Sequence, residues 1–138
     1  MSENTFHFSL VSPEKVLLSE EVRMVTVPGT EGEFGVLRDH APILSSLKDG
    51  VVVVEQEDGE AQRVFIAGGF ADMNDNICTL LAEDAVKIED IDKIALEKER
   101  EVLNEKLSML SDGEEVSQEK EQLERALSIA EQKLSLAS

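Results

Sequence analysis

Tryptophan and tyrosine are absent from these 138 residues and phenylalanine occurs five times, which removes the usual aromatic platforms for stacking bases or sugars. Cysteine occurs once, so no internal disulfide is possible. Cys78 lies in the apolar run "ICTLLA", where a small buried hydrophobe is the expected role rather than a nucleophile. No stretch approaches the ~20 unbroken apolar residues of a membrane-spanning helix. The opening "MSENTFHFSL" has neither the basic and apolar regions of a secretory signal nor the Arg-rich character of a transit peptide, so a soluble, intracellular protein is expected. Positive charge is scarce as well: 13 Lys and Arg stand against 30 Asp and Glu, a formal net charge of -17. That balance opposes nucleic acid, whose binding requires Lys/Arg patches that displace counterions. It equally opposes an electrostatic grip on anionic lipid. Small-molecule enzymes stay open, and a protein–protein role gains.

The length allows one ordinary domain or a small domain with an appendage, and the pattern of apolar residues favours the second. Up to about residue 84 the apolar positions have period two or run in short blocks rich in Val, Ile and Phe: 6–11, 22–27, 51–54, 63–67 and 77–82. Turn residues separate them, and Asp58-Gly59 is a hairpin signal because a tight primed turn needs the positive φ that glycine supplies. Short strands at this spacing, with no helix between them, predict a flattened antiparallel β-sandwich or barrel over residues 1–86. From about residue 88 the period changes. Ile88, Ile91, Ile94, Ala95, Val102, Leu103, Leu107 and Leu110 recur at three, four and seven, the stripe of an amphipathic helix. "SDG" at 111–113 predicts a stop, and Val116, Leu123, Leu127, Ala130 and Leu134 form a second stripe. Residues 87–138 are therefore expected to form an antiparallel helical hairpin, in preference to a free coiled coil, and the fold class is α+β. The second stripe is narrow and rich in alanine, so the hairpin is expected to be marginally stable by itself.

Three constellations invite chemistry. Asp39-His40 could set up a general base, but adjacent residues project in different directions and no Ser or Cys nucleophile motif accompanies them. Gly29, Gly32 and Gly35 do not follow a dinucleotide or P-loop spacing and are expected to permit turns and close backbone approach. Asp72, Asn74, Asn76 and Glu83 stand at the spacing of a calcium-binding EF-hand loop, yet Ile77 occupies the position that requires glycine and the flanks have β character. A turn with Asp75-Asn76 at its tip is the expectation there, and no metal or cofactor is expected anywhere.

Taken together, "SPE", the following Ser and Val, "PG..GE.GVL..H.P" (28–42), a Gly before a β run and "GG" before the last strands occur in one order. That ordered set resembles the epsilon subunit of bacterial F-type ATP synthase, whose mitochondrial counterpart is called delta, over essentially the whole chain. The resemblance implies a β-sandwich followed by a helical hairpin, as the periodicity does independently. It also implies a non-catalytic subunit of the central stalk that binds the gamma subunit and rests on the membrane c ring. Expected location is then the cytoplasmic face of the bacterial inner membrane, held peripherally without insertion. On this likeness Glu33 matches the family's acidic contact to the c ring, with Arg38, Asp39 and His40 as rim residues, while Pro42, Ile43 and Leu44 face gamma. Residues 87–138 would contact the alpha and beta subunits transiently. Many bacterial members carry Arg-Ala after Ile/Leu-Asp and two variable residues, a motif tied to ATP binding. Here Ile91-Asp92-Lys93-Ile94 is followed by Ala95-Leu96, and Arg125 alone does not substitute, so ATP binding is expected to be weak or absent. A stand-alone adaptor with a β module and a helical hairpin is the alternative; a hydrolase built on Asp39-His40 is more remote.

Overall fold

The computed structural model describes residues 4–110 and 114–137. The expected stop at Ser111-Asp112-Gly113 and the side chain of Val116 lie outside the described residues. The chain divides into two units, Met1–Lys87 and Ile88–Ser138.

In the first unit the described residues form ten strands: β1 Phe6–Val11, β2 Val16–Val22, β3 Met24–Gly29, β4 Gly32–Leu37, β5 Ile43–Leu47, β6 Gly50–Glu55, β7 Ala61–Ala67, β8 Gly69–Asn74, β9 Ile77–Leu81 and β10 Asp84–Lys87. They hydrogen-bond along one path, β10-β7-β6-β3-β5-β8-β9-β1-β2, with β4 on β3. β3 meets β5 only at Gly29 and Leu47, and there the path folds into two layers, β10-β7-β6-β3-β4 and β5-β8-β9-β1-β2. The two layers contribute to a single apolar cluster: Phe6, Phe8, Leu10 and Val22 from one, Val25, Val27, Val52, Val54, Val64 and Ile66 from the other. This is the expected β-sandwich, with strict alternation in β1, where Phe6, Phe8 and Leu10 are buried and His7, Ser9 and Val11 are not. One pairing departs from the antiparallel rule, since β1 runs parallel to β9. Parallel neighbours cannot be joined by a tight turn, and here residues 12–76 intervene.

Turn chemistry sets the register. Asp75 and Asn76 have φ of 51° and 61°, a primed two-residue turn whose twist matches that of its strands, so 72–83 is a β-hairpin with the predicted tip and not a calcium loop. The β6–β7 connection is longer than the tight turn expected at Asp58-Gly59. The Gly59 amide donates to the Gln56 carbonyl at 3.0 Å and the Gln56 amide to the Glu60 carbonyl at 2.7 Å, closing a three-residue loop. Only Gly59 in it has positive φ, 91°, as in a type I turn followed by a left-handed residue. The "GG" motif has a steric reason: Gly69 has φ of 132° and a side chain there would collide with the Leu81 carbonyl.

In the second unit a 3₁₀ turn, Ile88–Asp90, leads to α1, Lys93–Met109, and α2, Glu114–Leu136. Asp92 caps α1: its backbone is extended and its Oδ1 accepts from the Ala95 amide at 3.1 Å, satisfying one of the helix's free donors. The two helices pack together. Lys106, Met109 and Leu110 line one groove with Glu119, Gln122 and Leu123, and Ile88, Ile91 and Lys93 line another with Leu136 and Ala137. Start meets end at both places, so the hairpin is antiparallel. The inner stripe of α1 is shifted from the expected one. Leu96 and Leu103 are buried and Leu107 and Leu110 half-buried, whereas Ile94, Ala95 and Val102 are exposed. The helix begins only at Lys93, so Ile88 and Ile91 belong to the preceding turn and do not fix its phase.

Candidate functional site

The segment 28–44, which carries most of the motif, folds as a strand between two turns. β4 pairs with β3 along its whole length, from Gly32 opposite Gly29 to Leu37 opposite Met24. Phe34 and Val36 turn toward the core, so Glu33, Gly35 and Leu37 turn outward, and Glu33 is exposed. The turn end of this hairpin is tied to the end of β5 and to Lys48 just beyond it: the Thr30 amide donates to the Ser46 carbonyl at 3.1 Å and the Lys48 amide to the Pro28 carbonyl at 2.9 Å. Glu33 therefore stands on a braced hairpin.

Arg38, Asp39 and His40 lie at the far end of β4. At about 3.3 Å per residue, five positions of strand separate Glu33 from Arg38 by roughly 17 Å. The four residues grouped by sequence proximity are thus not brought to one place. Asp39 has φ of 65°; its amide donates to Asn76 Oδ1 at 2.6 Å, and Asn76 Nδ2 donates to Asp39 Oδ1 at 3.0 Å. His40 Nδ1 donates to the Ala41 carbonyl at 2.7 Å and its amide to the Leu37 carbonyl at 3.1 Å. The imidazole and the carboxylate are both engaged, but not with each other, and no Asp39–His40 base is assembled. The Arg38 guanidinium donates to the Thr5 carbonyl at 3.2 Å.

On β5 the alternation divides the next three residues. Pro42 is exposed before the strand, Ile43 packs against the core, and Leu44 points outward with 75% of its surface exposed. Leu44 has company that sequence reading missed. The outer face of β5-β8-β9-β1-β2 carries Phe70 and Leu81 directly opposite one another, Val11 beside Leu81, and Val16 beside Val11. Phe70 and Leu81 are each 54% exposed and Val16 61%. Ile77 stands two rows away, beside His7, with the row of Asp72, Thr79, Ser9 and Ser19 between. His7 is held on this face by Glu21 at 3.1 Å and lies within 3.3 Å of the Ser9 and Ser19 hydroxyls, a polar edge to an apolar row. The signal in the sequence is the doubling of apolar residues: in "ICTLL" (77–81), Cys78 and Leu80 fill the core while Ile77 and Leu81 remain outside. Contiguous exposed apolar side chains on a sheet face mark a docking surface.

The chain thus combines a two-layer β-sandwich with an outward apolar face, a braced acidic hairpin and a helix pair. Residues 5–88 match the family described as ATP synthase, Delta/Epsilon chain, beta-sandwich domain, and the chain belongs to that family, as the resemblance implied. Relatives described as ATP synthase epsilon chain include that of Chelativorans sp. (strain BNC1), 42% identical over 80% of this chain and 82% of that one. That of Rhizobium meliloti (strain 1021) is 44% identical over 78% of this chain and 81% of its own length. Among solved structures, a chain of the cryo-EM structure of Euglena gracilis mitochondrial ATP synthase, OSCP/F1/c-ring in rotational state 1, is 33% identical with a TM-score of 0.68, covering 92% of this chain and 78% of that one. A chain of the Tetrahymena thermophila mitochondrial ATP synthase central stalk and c ring, 13% identical with a TM-score of 0.56 over 93% of this chain and 95% of that one, shares the fold.

Proposed function

We propose that this chain is a non-catalytic rotor subunit of an F-type ATP synthase, joining the gamma subunit to the c ring so that proton flow turns the central stalk. The observation that carries the reading is the outward apolar face of β5-β8-β9-β1-β2, carried on strands of a two-layer sandwich and not on loops, as a contact that must hold its geometry requires. Family membership and the assemblies from which the structural relatives come support it. Glu33, on its braced hairpin, is assigned to the polar loops of the c ring. Arg38 is about 17 Å from Glu33 along β4, and Arg38, Asp39 and His40 lead directly into Pro42 and Leu44, so they join the gamma-facing side. Ile43 supports that side from the core. Phe70, Ile77, Leu81 and Val16 extend it. On this reading the subunit is peripheral, at the cytoplasmic face of a bacterial inner membrane.

The test is reconstitution. Membranes stripped of this subunit are expected to regain ATP-driven proton pumping with the full chain and with the chain ended at Asp90, since the apolar core of the sandwich falls within Phe6–Ala85. Leu44→Asp combined with Phe70→Asp is expected to abolish co-purification with gamma and the recovery of pumping together, while the isolated chain stays folded because both side chains are exposed. A wild-type chain that neither binds gamma nor restores pumping would leave the adaptor reading in its place.

A further inference from the structure

The turn that joins β8 to β9 reaches across to the loop that joins β4 to β5. Asp39 and Asn76 close a ring of two hydrogen bonds, Asp39 amide to Asn76 Oδ1 at 2.6 Å and Asn76 Nδ2 to Asp39 Oδ1 at 3.0 Å. Only one orientation of the amide satisfies both, because a backbone N–H requires an acceptor and a carboxylate requires a donor. The second bond is charge-assisted. Both residues have positive φ, 65° and 61°, a region that Asp and Asn enter more readily than other side chains but that still costs energy unless something holds them there. The Asn76 carbonyl also accepts from the His7 amide at 3.1 Å, and Arg38 donates to the Thr5 carbonyl. Loop, turn and the start of β1 are thereby fastened to one another, and the Asn76 side chain makes the direct link from turn to loop.

We propose that Asn76 is a positioning residue of the docking surface: it holds the loop from Arg38 to Pro42 in the conformation that the gamma subunit recognises, and the β8–β9 turn is part of that surface. The inference rests on the rotor reading above. Its physical content is a population: a partner that binds one loop conformation sees its affinity divided by the fraction of molecules in that conformation, so a fall to about a tenth costs about tenfold in Kd.

The experiment combines affinity for purified gamma with hydrogen exchange of the Asp39 amide. Asn76→Gly removes the side-chain bonds but keeps a turn that needs positive φ. Asn76→Asp sets two carboxylates face to face. The double variant Asp39→Asn/Asn76→Asp moves the carboxylate across the pair and leaves both bonds possible. The expected result is faster Asp39 exchange and about tenfold weaker gamma binding in both single variants, recovered to within about twofold in the double one, with the thermal midpoint little changed throughout. Unchanged gamma affinity in Asn76→Gly, with or without faster exchange, overturns the inference. Failure of the wild-type chain to bind gamma sinks the rotor reading and this inference with it, whereas normal wild-type binding with indifferent variants sinks this inference alone.

Discussion

Cys78 shows how far a single residue can be read locally. It is fully buried in the sandwich core, and burial, with a smaller contribution from the Asp72 carboxylate, pushes its thiol up from 9.0 to about 12. A thiol held neutral is a poor nucleophile, so iodoacetamide is expected to leave the native chain unmodified at neutral pH and to label it once urea unfolds it. Stability is linked to pH through the same proton. The folded thiol keeps its proton where the unfolded one has lost it, so this contribution is intact below the unfolded value of 9.0 and is lost as pH rises toward about 12. The difference in unfolding free energy between the chain and Cys78→Ala should be constant below that window, set by lost packing alone, and should shrink as pH rises through it. The apolar run around Cys78 announced its burial, and the Asp75-Asn76 turn was equally legible, because both depend on neighbours in sequence. The partner of Asp39 was not. Asn76 lies 37 positions away, and the register of β1, β8 and β9 that brings it there is decided by the whole sandwich.

At the scale of elements the same division holds. β1, β6, β7 and β9 coincide with runs whose apolar alternation or density is evident, and β3 was found two residues early. β4, β5 and β8 were hidden because Gly32, Gly35, Ser45, Ser46, Asp72 and Asn74 dilute them with residues that strands disfavour; these strands exist because flanking strands complete their hydrogen bonds. The hidden strands carry Glu33, Leu44 and Phe70, so the candidate surface was only partly visible for the same reason. Helix phase was misread where the 3₁₀ turn precedes α1, yet Asp92, noted for its place in a motif, proves to be the cap. Asp92→Ala is expected to cost about 1 kcal/mol, the usual loss for an N-cap. In a hairpin whose inner stripe is this sparse, that should register in circular dichroism as an earlier loss of helical signal, with amide exchange in the sandwich unaffected. Equal destabilisation of both units would show that they melt as one cooperative body.

Charge acts over the whole molecule. Of the net -17, residues 85–138 hold 8 basic and 14 acidic side chains, leaving -11 for the β half, so the acidity is spread through both units. From 114 to 138, Lys120, Arg125 and Lys133 stand against six glutamates. On the rotor reading, inhibition of ATP hydrolysis would require the hairpin to open and insert its helices beside acidic segments of the beta subunits. Juxtaposed like charges oppose such an insertion by as much as several kcal/mol. The full-length chain is therefore expected to inhibit a purified ATPase head no more than the chain ended at Asp90 does. Ionic strength provides the discriminating control. If repulsion is what keeps the helices out, salt screens it, and inhibition by the full chain should grow as salt is raised while the shortened chain stays indifferent. Strong inhibition at low salt that depends on residues beyond Asp90 would overturn the charge argument and show that packing of the inserted helices outweighs it.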